Sequence, residues 1–597
     1  MINEKMKYMK TKHIIKTAIV MAAGILTLTS CEDWLTIYPT DKTVGENFWV
    51  KKSDVEEMRA GAYAAVTDGA VLERILMWGG YRSDELVLSS FTRNTDLEYI
   101  QVANLYPKQS ICSWTSFYKV INRCNIVLNN AKKVMEKDPD FTEGDYNTVR
   151  AQMLALRAYC YFYLVRSFRD IPYTEQSYEI DDVDMILPQS APAEVLDSCI
   201  AHLVDARKSI LKTGAYGPSD WRNKGYFTRD AVDALLADIY LWRGSMTHNL
   251  DDYRKCVEYA DNVINSRDAY FLQYNKANST DERAAKYHLH GVEDQYKYLY
   301  GFANESPFVR NSYGDISMSE TILEWQCENS SLRTFYNLSA MASPIFNKVG
   351  TDANLSSGKN VFLSLNDYRY WNFVAGVNQS EATELPIRKL IVQYAGVYGN
   401  RNSDGIITPN TTDVGASTVN IYDFDRNWVA YRITDVMLMK AEALVQLSAG
   451  EDDDPLKQAF NLVQVVNKRS MLRTAIDTLK YESFTSKTDM EELVLAERER
   501  ELCFEGKRWY DIIRYAYRQM GRVDITKRMT DDDYVIPNLV GINNLLSRKF
   551  PDGGSSVTFK MKTEPSLYWP VNEREIKVNP LLRQNPVFQD NSSTSKN

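Results

Sequence analysis

Apolar residues in the first half of the chain return every third or fourth position. Trp114, Tyr118, Ile121, Asn125 and Leu128 form one such series, and Leu154, Ala158, Tyr161, Val165 and Phe168 another. A period near 3.6 lays these residues along one stripe of a helix, which must then be buried against a neighbour. Further helices are predicted over 193–211, 228–242 and 253–265, the second carrying Ala231, Leu235, Ile239 and Trp242 on one face. The pattern fades from Ser266 to about Asn427, where Gly, Asn, Ser and Tyr dominate. Only short strand-like runs stand out there, such as 321–325 and 360–365, and Trp325 falls in one of them as a core residue. Helical spacing returns at Val429 and predicts helices over 432–447, 455–470 and 490–502. A fourth follows Gly506 and contains Trp509, Ile512 and Ile513.

A middle stretch this long is not a plain loop inside a compact fold, so it is expected to be an irregular layer with short strands resting on the helices. The predicted fold is mainly α. Helices of about 12 to 25 residues in antiparallel pairs suggest tetratricopeptide-like units stacked into a curved scaffold, with the loop and short-strand layer carrying the ligand site. The expected organisation is a leader over 1–30, an N-terminal helical part over 31–265, the irregular layer over 266–428, and a C-terminal helical part with an irregular tail over 429–597. Together these form one intertwined domain.

The first thirty residues carry Lys5, Lys7, Lys10, Lys12 and Lys16, then an apolar to weakly polar run from Thr17 to Thr27, then Leu28, Thr29, Ser30 and Cys31. A basic start, a short apolar run and small residues before a cut describe an export signal, and the run is too short to span a bilayer. Leu-Thr-Ser-Cys has the form of a bacterial lipobox, so Cys31 is expected to become the first residue and to be acylated. Multiple acyl chains hold a protein at a membrane without a spanning helix. Loss of the leader, with its five lysines and Glu4, takes the net charge from −9 to −13. An acidic body lacking clustered Lys and Arg is not expected to bind nucleic acid. The remaining cysteines, Cys112, Cys124, Cys160, Cys199, Cys256, Cys327 and Cys503, are scattered, odd in number and without CxxC spacing. They read as small buried thiols rather than a disulfide framework.

Catalytic chemistry finds little support. Five histidines exist, and His288 with His290 would share one face of a strand without a clear third metal ligand. Neither a metal nor another cofactor is expected. Asn400, Asn402, Asp404 and Gly405 mimic a calcium loop, but Thr411 stands where the bidentate Glu belongs, so a polar turn is expected. The densest charge runs from Glu497 to Arg514. Spacing pairs Glu497 with Arg500, Glu505 with Arg508, and Asp511 with Arg508 and Arg514. Such pairing lowers carboxylate pKa values, which is wrong for a general acid, and a salt-bridged helix pair holding the scaffold together is expected. The chain also carries 38 Tyr, 21 Phe and 11 Trp. Flat rings in irregular segments can cover sugar faces without great entropy loss. The candidate ligand residues are Trp78, Tyr81, Arg82 and Asn94, with Tyr336 and Trp371 in the middle layer.

Five stretches in order resemble the SusD/RagB family of outer-membrane nutrient-uptake lipoproteins. They are Cys31-Glu32-Asp33-Trp34-Leu35 with Pro39; Arg157-Ala158 leading to Phe168-Arg169-Asp170-Ile171-Pro172, with Arg169 where the family has Gly; and Arg432 through Met439 to Ala441-Glu442-Ala443. The most specific is Glu497-Arg498 through Glu501-Leu502 to Phe504-Glu505-Gly506-Lys507-Arg508-Trp509-Tyr510-Asp511. Trp569-Pro570-Val571, Glu575-Ile576, Asn579-Pro580 and Gln584-Asn585-Pro586 close the series. The resemblance implies a helical fold with tetratricopeptide-like pairs and no catalysis. It also implies a lipid anchor in the outer membrane facing the cell exterior, and a SusC-like TonB-dependent transporter as partner. In most relatives the captured nutrient is a glycan and in some a peptide, so peptide capture by the same architecture is the alternative. A surface glycoside hydrolase would need an unpaired carboxylate pair in a cleft.

Overall fold

The structure is a computed structural model. It describes residues 48–89, 93–179, 186–217, 220–274, 427–471, 479–550 and 553–589, and between 275 and 426 only short pieces, the longest being 320–326, 340–347 and 360–374. Helices α1 (Lys52–Val66) and α2 (Gly69–Leu76) come first, and α2 runs on through a wider π-helical turn, Met77–Tyr81. A short strand β1 (Leu86–Leu88) and α3 (Thr95–Gln101) lead into the long helices α4 (Thr115–Met135), α5 (Glu143–Phe168), α6 (Pro192–Ser209), α7 (Arg229–Thr247) and α8 (Leu250–Tyr274). The middle contributes β2 (Phe308–Arg310), β3 (Ile316–Met318), β4 (Thr321–Trp325), β5 (Ala340–Ala342), α9 (Tyr368–Asn372), β6 (Gly399–Arg401) and β7 (Ile407–Pro409). Strand β8 (Trp428–Arg432) leads directly into α10 (Ile433–Leu447), followed by α11 (Asp454–Ser470), α12 (Lys487–Leu502) and α13 (Arg508–Gln519).

The predicted mainly helical fold is observed, and its order of packing follows the chain. Each of α4 to α8 lies against the next, as expected where only His248 and Asn249 separate α7 from α8. Helix α8 then packs on α10, and α10 on α11 and α12, so the two helical halves meet directly across the irregular middle. Local chemistry fixes the starts. Thr142 and Asp145 form a reciprocal capping box before α5, Asp453 accepts from the Leu456 N–H before α11, and Ser486 accepts from the Asp489 N–H before α12. Helix α5 is the centre of the fold, with every residue from Ala151 to Phe168 buried. The described strands are short and pair in twos: β1 with β5, β2 with β3, β4 with β8, and β6 with β7, all antiparallel.

Three expectations need correction here. Residues 429–432, where helical spacing is expected to return, instead belong to a strand, 428–432, buried on both faces and so without the alternation that marks a half-exposed strand. Residues 360–365 form bends and turns, not a strand. Helix α8 runs nine residues beyond the expected end at 265, to Tyr274. Trp325 is a core residue as expected, 1% exposed, its indole N–H donating to Tyr159 Oη at 3.1 Å. The six described cysteines other than Cys31 and Cys327 are all buried and free.

Two backbone details tie the early segment to the signature stretch. A Cβ on Gly79 would lie 1.8 Å from the Gly506 carbonyl oxygen, so the π-helical turn and the turn before α13 meet backbone to backbone. Arg169, just past α5, holds φ at +66°, where an ordinary side chain is strained. Its fully buried guanidinium compensates: Nε donates to Glu564 (2.9 Å), Nη1 to Asp170 (2.7 Å) and the Lys527 carbonyl (2.9 Å), and Nη2 to the Asp524 carbonyl (3.2 Å) and Tyr534 Oη (3.0 Å). The family's glycine would relieve the backbone by about 1 kcal/mol but leave Glu564 and Asp170 buried beside no cation. Arg169→Ala is expected to lose about 3–5 kcal/mol in urea unfolding and Arg169→Gly about 1 kcal/mol less. Both variants matching the parent would show that this anchor does not hold the C-terminal segment.

Candidate functional site

Among the described residues, the signature stretch sorts into three buried ionic clusters, each with as many acids as bases. The first joins five acids, Glu320, Asp367, Glu497, Glu501 and Glu505, to five bases, Arg369, Lys389, Arg432, Arg469 and Arg500. The second pairs Asp84 and Glu499 with Arg508 and Arg548. The third sets Asp435, Glu442, Glu491 and Asp511 against Arg498, Lys507, Arg514 and Arg518. Of the expected pairs, Glu497–Arg500 and Asp511–Arg514 form. The expected Glu505–Arg508 pair does not: Phe504 and Gly506 both take positive φ, the turn separates the two side chains, and Glu505 meets Arg432 and Lys389 while Arg508 meets Asp84.

These carboxylates suit fastening, not proton transfer. Burial pushes the Glu501 carboxyl up, but Arg469, Arg432 and Arg369 outweigh it and hold it well below the usual range. Burial likewise opposes ionisation of Asp435, and Lys507 with Arg498 brings it down to about 2. Glu85 is the opposite case, pushed up by burial, but it is fully enclosed and accepts the Phe504 N–H, out of reach of a substrate. For the depressed groups the folded pKa lies below the unfolded value near 4, so their stabilisation is complete above that value. It is lost as pH falls through the folded pKa values. The melting temperature is therefore expected to fall steeply between about pH 4 and pH 2. An equal melting temperature at pH 6 and pH 2.5 would contradict the ionised clusters.

The candidate ligand residues do not converge on one place. Trp78 and Tyr81 are fully buried, because the π-helical turn faces α4 and α5 rather than solvent. Trp78 stacks on Phe117 at 5.1 Å, meets Phe168 edge-on at 5.0 Å and donates its N–H to the Ile111 carbonyl at 2.9 Å. Arg82 is buried too, donating to the Leu567 and Ser566 carbonyls at 2.8 and 2.6 Å, its guanidinium 4.3 Å from the Trp509 ring centroid. These three side chains fasten the core and, contrary to expectation, present no face to a ligand. Asn94 is exposed, but its side-chain oxygen caps α3, accepting from Asp96 and Leu97 N–H at 3.0 and 3.2 Å. Tyr336 and the proposed lipidation residue Cys31 lie outside the described residues.

Trp371 remains a surface candidate. It sits half-buried on α9, which Asp367 caps and which Arg369 bolts into the first ionic cluster through Glu497 and Glu501. The indole N–H donates to the Leu365 carbonyl at 2.8 Å, and the ring meets Tyr370 at 4.7 Å, nearly perpendicular. Tyr370 in turn donates to the Asn347 carbonyl at 2.8 Å. Leu365 beside it is 52% exposed. The result is a fixed aromatic ring with an apolar neighbour at the surface. Of the other polar candidates, His288 bonds Asp268 at 2.7 Å and stacks on Phe271 at 3.7 Å, while His290 lies outside the described residues. Asn400 lies in strand β6, and 402–405 are outside the described residues.

Comparison with known proteins accounts for both helical halves. A family model described as the SusD family matches residues 365–588, and one described as starch-binding associating with outer membrane matches residues 33–241. SusD-like protein P38 of Formosa agariphila is 24% identical over 531 residues, covering 85% of this chain and 92% of the relative. SusD-like protein P2 of the same organism is 24% identical over 521 residues, covering 84% and 90%. A SusD homolog from Bacteroides thetaiotaomicron superposes with a TM-score of 0.63 at 16% identity, over 92% of this chain and 99% of that one. A SusD superfamily protein from Bacteroides vulgatus superposes with a TM-score of 0.62 at 17% identity, over 90% and 100%. Among the described residues no helix is long and apolar enough to cross a membrane. With one family model on each helical half and relatives spanning both, the chain belongs to the SusD/RagB family, a family of binding proteins and not of enzymes.

Proposed function

We propose that this protein captures oligosaccharide or polysaccharide at the cell surface and delivers it to a SusC-like TonB-dependent transporter of the outer membrane. Cys31 carries the lipid that keeps it there, and the irregular middle layer carries the ligand site. The observation that bears most on this reading is Trp371: a half-exposed indole on a short helix that an arginine locks into the protein's ionic core. Rigid rings lose little entropy on binding, and their broad faces match the apolar C–H faces of pyranoses. The starch-binding description of the family model over 33–241 supports a saccharide ligand, and the mutually satisfied buried carboxylates support retention without cleavage.

Trp371→Ala is expected to weaken saccharide affinity about tenfold in titration calorimetry while leaving the melting temperature within a few degrees of the parent. Unchanged affinity would remove Trp371 from the site. Binding to a peptide library with no response to any saccharide would replace glycan by peptide as the cargo.

A further inference from the structure

We propose that Trp221, in the loop between α6 and α7, is a second saccharide-contact surface of this protein, a flat aromatic platform edged by the Asp220–Arg222 pair. The inference rests on the glycan-capture reading and adds a site to it.

Trp221 is 47% exposed, whereas the aromatic residues behind it are enclosed: Tyr226 is 7%, Tyr63 6% and Trp325 1% exposed. The exposed ring is held, not loose. It meets Tyr226 edge-on at 5.2 Å, and Tyr226 packs on Tyr63 at 4.5 Å. A Cβ on Gly225 would stand 2.5 Å from the indole, so glycine at this position is what lets the ring lie against the turn. Buried Asn223 shapes the loop, donating to the Gly217 and Asp220 carbonyls at 2.6 and 3.1 Å and accepting from the Gly214 N–H at 2.9 Å. Little conformational freedom is left to lose when a ligand covers the ring.

The polar edge is equally fixed. Arg222 donates to both oxygens of Asp220, at 3.0 and 2.6 Å, while the two side chains remain 41% and 22% exposed. The guanidinium lies 4.6 Å from the Tyr216 ring centroid, and Tyr216 Oη accepts from Gln152 Nε2 at 2.9 Å. A bare indole face with a planar acceptor–donor pair at its rim matches a neutral pyranose, which presents an apolar C–H face bordered by hydroxyls. The net charge of the Asp–Arg edge is zero, so the ligand class is an uncharged hexose or pentose chain rather than a uronate.

Native affinity electrophoresis of the purified chain in gels containing amylopectin, xylan, glucomannan or polygalacturonate tests this. The parent is expected to be retarded by at least one neutral polysaccharide. Trp221→Ala is expected to weaken that retardation about fivefold or more, Trp221→Phe to restore most of it, and both to melt within a few degrees of the parent. A parent that is retarded, with Trp221→Ala and Arg222→Ala retarded equally, overturns the platform and leaves glycan capture standing. Retardation of the parent by polygalacturonate alone also overturns it. A parent that ignores all four polymers and binds peptides instead overturns the capture reading, and the platform with it.

Discussion

Replacing Glu501 by alanine is expected to remove a large part of the protein's stability at neutral pH. Its carboxylate joins Arg369 at 3.0 Å and Arg432 at 2.6 Å and also pairs with Arg469, all of them 2% exposed or less. Together these residues tie α9, β8, the end of α11 and the end of α12 to one point. Removing the acid leaves three arginines to share the remaining carboxylates in a site water does not reach. Breaking one buried pair costs about 3–5 kcal/mol, against a total stability of about 5–15 kcal/mol. All three arginines lose a carboxylate at once, and Asp367, Glu497, Glu505 and Glu320 are left to hold them, so a loss of about 3–5 kcal/mol is expected. Chemical unfolding followed by circular dichroism measures it. A Glu501→Ala variant within about 1 kcal/mol of the parent would mean that the cluster relaxes freely and does not organise the fold.

The second large effect separates structural from surface tryptophans. Trp78→Ala is expected to lose about 3–5 kcal/mol, because the ring is fully enclosed between Phe117 and Phe168 and its N–H is satisfied by Ile111. Any fall in saccharide binding should follow the fraction unfolded and vanish at low temperature. Trp371→Ala should show the reverse, a normal melt and a weakened affinity. If Trp78→Ala melts like the parent, the π-helical turn is not packed as described.

The contrast explains what could be read from the residue order. The four helices α10 to α13 and the ionic role of the 497–511 stretch were legible, since caps and i+3 spacing are local signals. The partners of Glu505 and Arg508 were not, because Arg432 and Asp84 are distant in sequence and reach them only through tertiary packing. Strand β8 was hidden for a related reason: burial of both faces removes the alternation that would distinguish it from the helix that follows. Trp78 and Tyr81 looked like loop aromatics because Gly79 and Gly80 lie between them. The glycines instead permit the contact with Gly506 that encloses both rings. Trp221 carries no local signal that sets it apart from Tyr216 and Tyr226 around it, and only the folded chain shows which ring is left outside.

Under the proposed function, the protein would hold a saccharide on its rigid ionic scaffold and pass it on unaltered. Equilibrium binding to neutral polysaccharides, with the bound sugar then recovered and sized by chromatography, tests it most directly. Saturable binding and recovered chains of undiminished length are expected. Shortened chains, or no saccharide binding by a correctly folded protein, would contradict it.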